Sequence, residues 1–401
     1  MEVTPTGEGR THHTGLLILL AALALISGIS LPLAHGQLVL ATVSVGENPV
    51  GIAYDSAAGE VFVANYFQNT VSVISDSTNT VVASVNVGSE PGGVAYDSAR
   101  GELFVTNSNS STVSIISDST NAVVATVPVG NGPADMAYDS AKGEVFVANS
   151  YGNTVSVISD ASNAVVATVS VGNSPFGVAY DPGKSEVFVA NYSDNTTSVI
   201  SVATNTVVAT VHVGRGPSGL AYDPAKGEIF VANSNSNTTS VISDETDTAI
   251  ATVPVGYSPI GVACDPTKGE VFVTNYYGST ASVISDATNA VVATIAVGHS
   301  PAGVAYDSAR GEVFITNSGD NTVSVISTGI TTPSTSTLSS TAPSVSNSPG
   351  SASTSSSSGA SSSISWSYVG IVAINATLFL VVCGLVAIRG KKPIPAAITV
   401  P

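Results

Sequence analysis

The sequence predicts an all-β protein, a seven-bladed β-propeller of four-stranded blades closed by an N-terminal strand, followed by one C-terminal transmembrane helix. Three observations carry that expectation. A 42-residue unit recurs seven times without insertion or deletion, and each unit reads as four short strands. The last unit lacks its fourth strand, and a matching strand stands alone at the start of the array.

The unit is marked by Pro-x-Gly-apolar-Ala-Tyr-Asp, beginning at Pro49, Pro91, Pro133, Pro175, Pro217, Pro259 and Pro301. A second marker, Phe-Val-Ala/Thr-Asn, begins at Phe62, Phe104, Phe146, Phe188, Phe230, Phe272 and Phe314, with Ile315 for Val in the last copy. In the first unit, strand a covers 50–54, and Asp55 to Gly59 form a Gly-containing hairpin turn. Strand b, 60–65, is nearly all apolar, as a strand enclosed between two sheets requires. Strand c covers 70–75, and Asp76 to Asn79 turn the chain by Asx chemistry. Strand d, 81–87, alternates Val81, Ala83, Val85 and Val87 with the more polar Ser84 and Asn86. Polarity thus rises from b to d, the order expected from the inside to the outside of a radial blade.

The seventh unit ends after strand c, near Ser327. The segment from Leu38 to Gly46 matches the strand-d segments of the other units and should complete the last blade. An open solenoid would need polar caps instead of this split. The expected ring has 28 strands over residues 37–327.

The flanks read differently. Residues 1–36 contain an apolar run from Gly15 to Leu33 behind Arg10, His12 and His13, the pattern of a signal peptide or an N-terminal anchor. Residues 328–366 carry no charge, and 24 of the 39 are Ser or Thr. Such a segment cannot bury enough apolar area to offset chain entropy, so it is expected to be a stalk. As a flexible coil it would reach roughly 5.5 Å × √39, about 35 Å. Residues 367–388 form an apolar span behind Trp366, with Tyr368 at its start and Arg389, Lys391 and Lys392 after it. That order predicts a transmembrane helix with residues 389–401 as a short cytoplasmic tail.

These repeats resemble the YVTN β-propeller family, named for Tyr-Val-Thr-Asn at the strand-b position. Here the motif reads Phe62-Val63-Ala64-Asn65, and Phe stands for the family's Tyr in all seven copies. The likeness covers about 291 of 401 residues. It implies kinship with exported propellers, archaeal surface-layer proteins among them. It implies little about activity, because the motif residues are structural.

Composition narrows the function. With 11 Lys+Arg against 28 Asp+Glu, the net charge is −17, which argues against a nucleic-acid partner. Two Cys and five His leave little for disulfides or metal sites, so no metal and no cofactor is expected. Cys-x-x-Cys-His, a phosphate-cradling Gly loop and Gly-x-Ser-x-Gly do not occur. Cys264, in place of the repeat's Tyr, reads as a small buried hydrophobe.

The two faces of the ring are expected to differ. The a–b and c–d turns hold 21 of the 26 carboxylates between residues 37 and 327, uniformly around the ring, which reads as turn chemistry and solvation. The b–c and d–a loops vary, and a ligand needs such asymmetry. Asp135 replaces the Gly at 51, 93, 177, 219, 261 and 303 and is expected at the channel mouth. The ligand-binding candidates on this variable face are Asp135, Glu90, Arg215, Tyr257, Tyr276, Tyr277 and His299. Asn109, Asn191, Asn195 and Asn237 satisfy Asn-x-Ser/Thr and are glycosylation candidates on the b–c loops.

The reading that follows is a membrane-anchored cell-surface module, extracellular in its propeller, that binds an envelope protein or a carbohydrate. The rival is an exported enzyme, a lactone hydrolase or a cofactor-dependent oxidoreductase, working at the channel mouth. That rival needs converging polar groups, and the sequence offers chiefly Asp135, Glu90 and Arg215.

Overall fold

Each repeat folds as one antiparallel sheet of four strands. A computed structural model describes residues 37–329, and the expected signal, the stalk past its first two residues, the transmembrane helix and the tail lie outside the described residues. In the first blade the strands are β2 (Pro49–Asp55), β3 (Glu60–Asn65), β4 (Thr70–Ser75) and β5 (Thr80–Asn86), hydrogen-bonded in that order. Strands b and c fall on the expected residues. Strand a is one residue longer at each end, and strand d starts one residue early. The c–d turn closes at Asn79 in the left-handed region (φ 53°), which frees Thr80 to pair with Ser75.

Closure follows the split seen in the sequence. β1 (Leu38–Ser44) pairs with β28 (Thr322–Ser327), and the sheet continues through β27 (Glu312–Asn317) to β26 (Pro301–Asp307). Seven four-stranded sheets account for all 28 strands. The fold is a seven-bladed β-propeller.

What holds neighbouring blades together is the strand-b Phe. Phe62, Ala64, Val71, Val73 and Val85 of the first blade meet Val94, Leu103, Val105 and Ile116 of the second in one apolar cluster. Such a cluster fills each of the seven interfaces, and all seven Phe are fully buried. A phenol at this depth would need a partner for its hydroxyl, whereas Phe needs none. The interface that shuts the ring joins Ile52, Val61, Val63 and Ile74 to Phe314, Val323 and Val325, with Val43 of β1.

The marker Asn at the end of strand b is fully buried in every blade. Asn65 donates its amide N–H groups to Thr70 (3.1 Å) and Ser72 (2.9 Å), tying the b–c turn shut, and the other six copies repeat this. This corrects one expectation. Asn191 is not a loop residue but the last residue of β15 (Glu186–Asn191), and its amide is spent on Thr196 and Ser198. A buried amide with both partners inside the blade is no acceptor for a glycan on the folded ring.

A second correction concerns the acidic turns. Asp55, Asp97, Asp139, Asp181, Asp265 and Asp307 are fully buried, so their uniformity is not solvation. Asp55 accepts from the backbone N–H of Ala57 (2.8 Å) and Ala58 (3.1 Å), closing its turn. It also faces Tyr96 of the next blade, which donates to Asp118 of its own blade (3.5 Å). Burial, and then these carboxylates, push the Tyr54, Tyr96, Tyr138 and Tyr222 phenols far above their ordinary value. Tyr180 rises to about 12.

Both ends of the described chain lie on this turn face. The Gln37 side-chain N–H donates to Glu270 (2.9 Å) in the a–b turn of the sixth blade, and Lys268 donates to Thr328. The variable face is the opposite one.

Candidate functional site

The inner strand of every blade starts with a break in its pairing. In β2, Pro49 pairs with Asn65 and regular pairing resumes only at Ile52, leaving residues 50 and 51 outside the ladder. The same break recurs in the other six inner strands. Seven such segments converge at the channel, and in six of them the residue that touches the next blade is glycine. A Cβ on Gly51 would come within 2.0 Å of the Gly92 carbonyl oxygen of the next blade. Glycine at this position therefore sets how tightly the ring closes.

Hydroxyls lace part of this inner ring. Thr106 donates to the Ala134 carbonyl (2.8 Å), Thr274 to Ala302 (2.7 Å) and Thr316 to Val50 (2.9 Å), each reaching the following blade. Ser218 does similar service to Pro259 and Ile260. The third blade has Ala148 where these blades have Thr, and there the inner position is Asp135 on β10 (Pro133–Asp139). The backbone N–H groups of Met136 and, across the interface, of Val178 lie close enough to its carboxylate to favour the charged form. Burial pushes the Asp135 carboxyl up to about 6, and those two N–H groups offset only part of the rise.

Above the glycines the channel widens into a cavity of about 380 Å³. Its walls are the glycines, the apolar side chains Ile52, Val94, Leu220, Val262 and Val304 one residue further along the strands, and an aromatic rim of Tyr66, Tyr151, Phe176 and Tyr276. Asp135 is the sole carboxylate among the lining residues, and no Lys, Arg or His lines the cavity. The volume is in the range of small-molecule sites, and a mostly apolar wall with few polar groups is their usual make-up.

The structure sorts the sequence candidates into three groups. Asp135 and Tyr276 line the cavity. Glu90 stands beside it, accepting from the Tyr66 hydroxyl at 2.7 Å, and burial followed by this bond raises the Tyr66 phenol. Tyr257 and Tyr277 are exposed, and with Tyr276 they form a cluster on the sixth blade with ring centroids 5.0 and 5.5 Å apart. Arg215 and His299 point to solvent outside the cavity. His299 pairs with Asp320 at 2.8 Å, and the Asp320 carboxyl is held below its usual range first by the His299 backbone N–H and then by its ring.

Asn109 is exposed in its b–c turn. Asn195 and Asn237 are half-buried at left-handed turn positions, their side-chain oxygens accepting from Gly216 and Ser258 backbone N–H groups. Cys264 is half-buried with its thiol pushed well above its usual value, by burial first and then by Asp223 and Asp286. Among the described residues no group of three or more His, Cys, Asp and Glu could hold a metal ion.

Tyr66, Tyr151 and Phe176, which line the cavity, are not among the sequence candidates. The signal was their position: Tyr66 and Tyr276 open their b–c loops, and Phe176 follows the proline of strand a, next to the inner ring. All six exposed aromatic side chains among the described residues, Phe67, Tyr151, Phe176, Tyr192, Tyr257 and Tyr277, lie on this same face.

No family model matches the chain, and no curated protein matches it. Among solved structures, the chain is similar to Kuenenia stuttgartiensis hydrazine synthase, with a TM-score of 0.65 at 18% identity, covering 70% of this chain and 96% of that one. At that identity the likeness is one of fold, the seven-bladed propeller, and sites on such folds are grafted independently.

Proposed function

We propose that the chain is a membrane-anchored cell-surface propeller of the YVTN-repeat kind that serves as a binding or structural module of the envelope. The observation that carries this reading is the separation of the two faces. Every exposed aromatic ring of the described residues is on the variable face, and both ends of the described segment lie on the other. The described chain ends at Gly329 on the turn face, so the proposed stalk, beginning at residue 328, leaves the ring on the side opposite the aromatic rings. Exposed Tyr and Phe supply large contact area at low entropic cost, which suits a protein or carbohydrate partner.

The test is binding of the full chain to envelope extracts and a glycan panel, with Tyr257→Ala/Tyr277→Ala and Phe67→Ala/Tyr151→Ala as variants. Loss of binding of tenfold or more in either pair, with an unchanged thermal midpoint, is expected. Unaltered binding in both removes the face from consideration. Protease added to intact cells should degrade the ring, and its survival there would overturn the exported topology.

The second reading, an exported enzyme at the channel mouth, is favoured by one observation, the carboxyl of Asp135 raised to about 6 in a cavity. The hydrazine synthase likeness adds a fold and no site residue. Against it, Glu90 is engaged by Tyr66 and Arg215 lies outside the cavity, so the three polar groups on which the sequence rested this reading do not converge.

A further inference from the structure

The cavity has a charge pattern of its own. Asp135 is a half-buried carboxylate set among glycine backbone and apolar side chains, with no cationic residue among those lining the space. The backbone N–H groups of Met136 and Val178 are the only polar neighbours that lower its pKa. A carboxylate offers about four acceptor positions, so capacity is left over on the side that faces the cavity. The rim adds four aromatic rings, and their negative faces attract a cation. Glu47, Glu90, Asp194 and Asp320 lie in the loops around the mouth, against Arg215 and His299. The field at the opening therefore favours entry of positive charge.

A metal ion does not suit these walls. Hard cations take six or more oxygen ligands, and four of the inner-ring carbonyls, those of Ala134, Ala302, Val50 and Ile260, already accept hydroxyl hydrogen bonds. An organic cation needs one anionic contact, aromatic faces and apolar wall for its carbon atoms, all of which the cavity supplies.

We propose that the channel cavity is a binding site for a small organic ammonium ion, of the choline or ethanolamine class, seated with its nitrogen against Asp135 and its alkyl groups among Tyr66, Tyr151, Phe176 and Tyr276. This rests on the reading that the variable face is the working face, and goes beyond it in naming a ligand class. Asp135 is the residue that makes one of seven similar blades able to hold the charge.

The experiment is calorimetric titration of the purified full chain, in a non-ionic detergent at pH 7.5, with choline, ethanolamine and 3,3-dimethylbutan-1-ol, the uncharged analogue of choline. One equivalent of choline or ethanolamine should bind, at least tenfold more tightly than the alcohol. Asp135→Asn, which keeps the shape and removes the charge, should lose tenfold or more. Tyr151→Ala should lose severalfold. Phosphocholine tells whether the cation enters free or on a phosphoester: binding stronger or weaker than choline supports the shared ammonium site in either case. The proposal is overturned if neither ammonium ion binds at millimolar concentration, if the alcohol binds as well as choline, or if Asp135→Asn binds choline like the unaltered chain. Envelope binding measured on the same Asp135→Asn sample separates the two readings, since loss of choline with envelope binding retained places the cation site apart from the macromolecular face.

Discussion

Asp135 should cost the ring stability at neutral pH, and replacing it should recover that stability in a pH-dependent way. Its carboxyl moves from an ordinary 3.8 to about 6 in the folded protein, chiefly because burial disfavours the charged form. The folded state thus holds the proton more tightly than the unfolded chain does. Below pH 3.8 both states are protonated and no penalty exists. Between 3.8 and 6 the unfolded chain gives up its proton first, and the penalty grows. Above 6 it is complete, about 3 kcal/mol at 1.36 kcal/mol per pH unit. Asp135→Asn removes the ionisation while its side-chain oxygen can still accept from Met136 or Val178. Urea unfolding followed by circular dichroism from pH 3.5 to 8 should show the two proteins equal at the acid end. The variant should be more stable by up to about 3 kcal/mol at pH 8, with the difference opening between pH 4 and 6. A variant no more stable than the parent at pH 8, or a gap that does not change with pH, would refute the reasoning.

Three further outcomes follow from the same geometry. Gly51→Ala should destabilise by about 1–3 kcal/mol in urea unfolding, because its Cβ meets the Gly92 backbone carbonyl and not a side chain that can swing away; a neutral result would mean the inner ring is not tightly closed. Deleting residues 38–44 strips β28 of its outer partner and removes the buried Val43 from the closing interface, so the thermal midpoint should fall by about 5 °C or more, corresponding to a loss of at least about 3 kcal/mol; an unchanged midpoint would sink the account of closure. Cys264→Tyr should return a phenol to the gap between Asp223 and Asp286 and raise stability by about 1–2 kcal/mol; a lowered midpoint would show that the sixth blade has repacked around the thiol.

The architecture was legible because the repeat makes each structural role visible seven times. Phe62 and its copies face identical surroundings, so burial preserves one residue at that place, and an identical Asn closes each b–c turn. What the sequence concealed is which polar groups are buried, through a contact about a blade apart in one case and across a single hairpin in another. Nothing local to Asp55 announces that it faces Tyr96, so the first Asp of each a–b turn looked solvated when it is buried. Asn191 looked like a loop sequon because Tyr192-Ser193 follows it, while the burial that withdraws its amide comes from Thr196 and Ser198 across the strand pair. The cavity was hidden for a geometric reason. Whether Asp135 and Arg215 point inward depends on which loop position meets the channel, and the narrow inner ring of glycine backbone decides that only once the ring is closed.

The repeated carboxylates and the single unrepeated one stand in different surroundings. Asp55, Asp97, Asp139, Asp265 and Asp307 each accept backbone N–H groups of their own turn through one oxygen and face the tyrosine of the next blade, while the second oxygen of each is buried without a hydrogen bond. Asp135 has a raised carboxyl in a cavity without a counter-charge, at a place where the other blades manage with glycine. A fold that needs no charge there gains nothing from placing one, and the penalty at neutral pH is several times the effect of an ordinary surface substitution. Strained or desolvated groups of this kind are where function commonly runs against stability. A cation bound in the cavity would cancel the penalty, so the ligand and the stability argument share one measurable consequence. Saturating choline should raise the thermal midpoint of the unaltered chain at pH 7.5 and leave that of Asp135→Asn where it was.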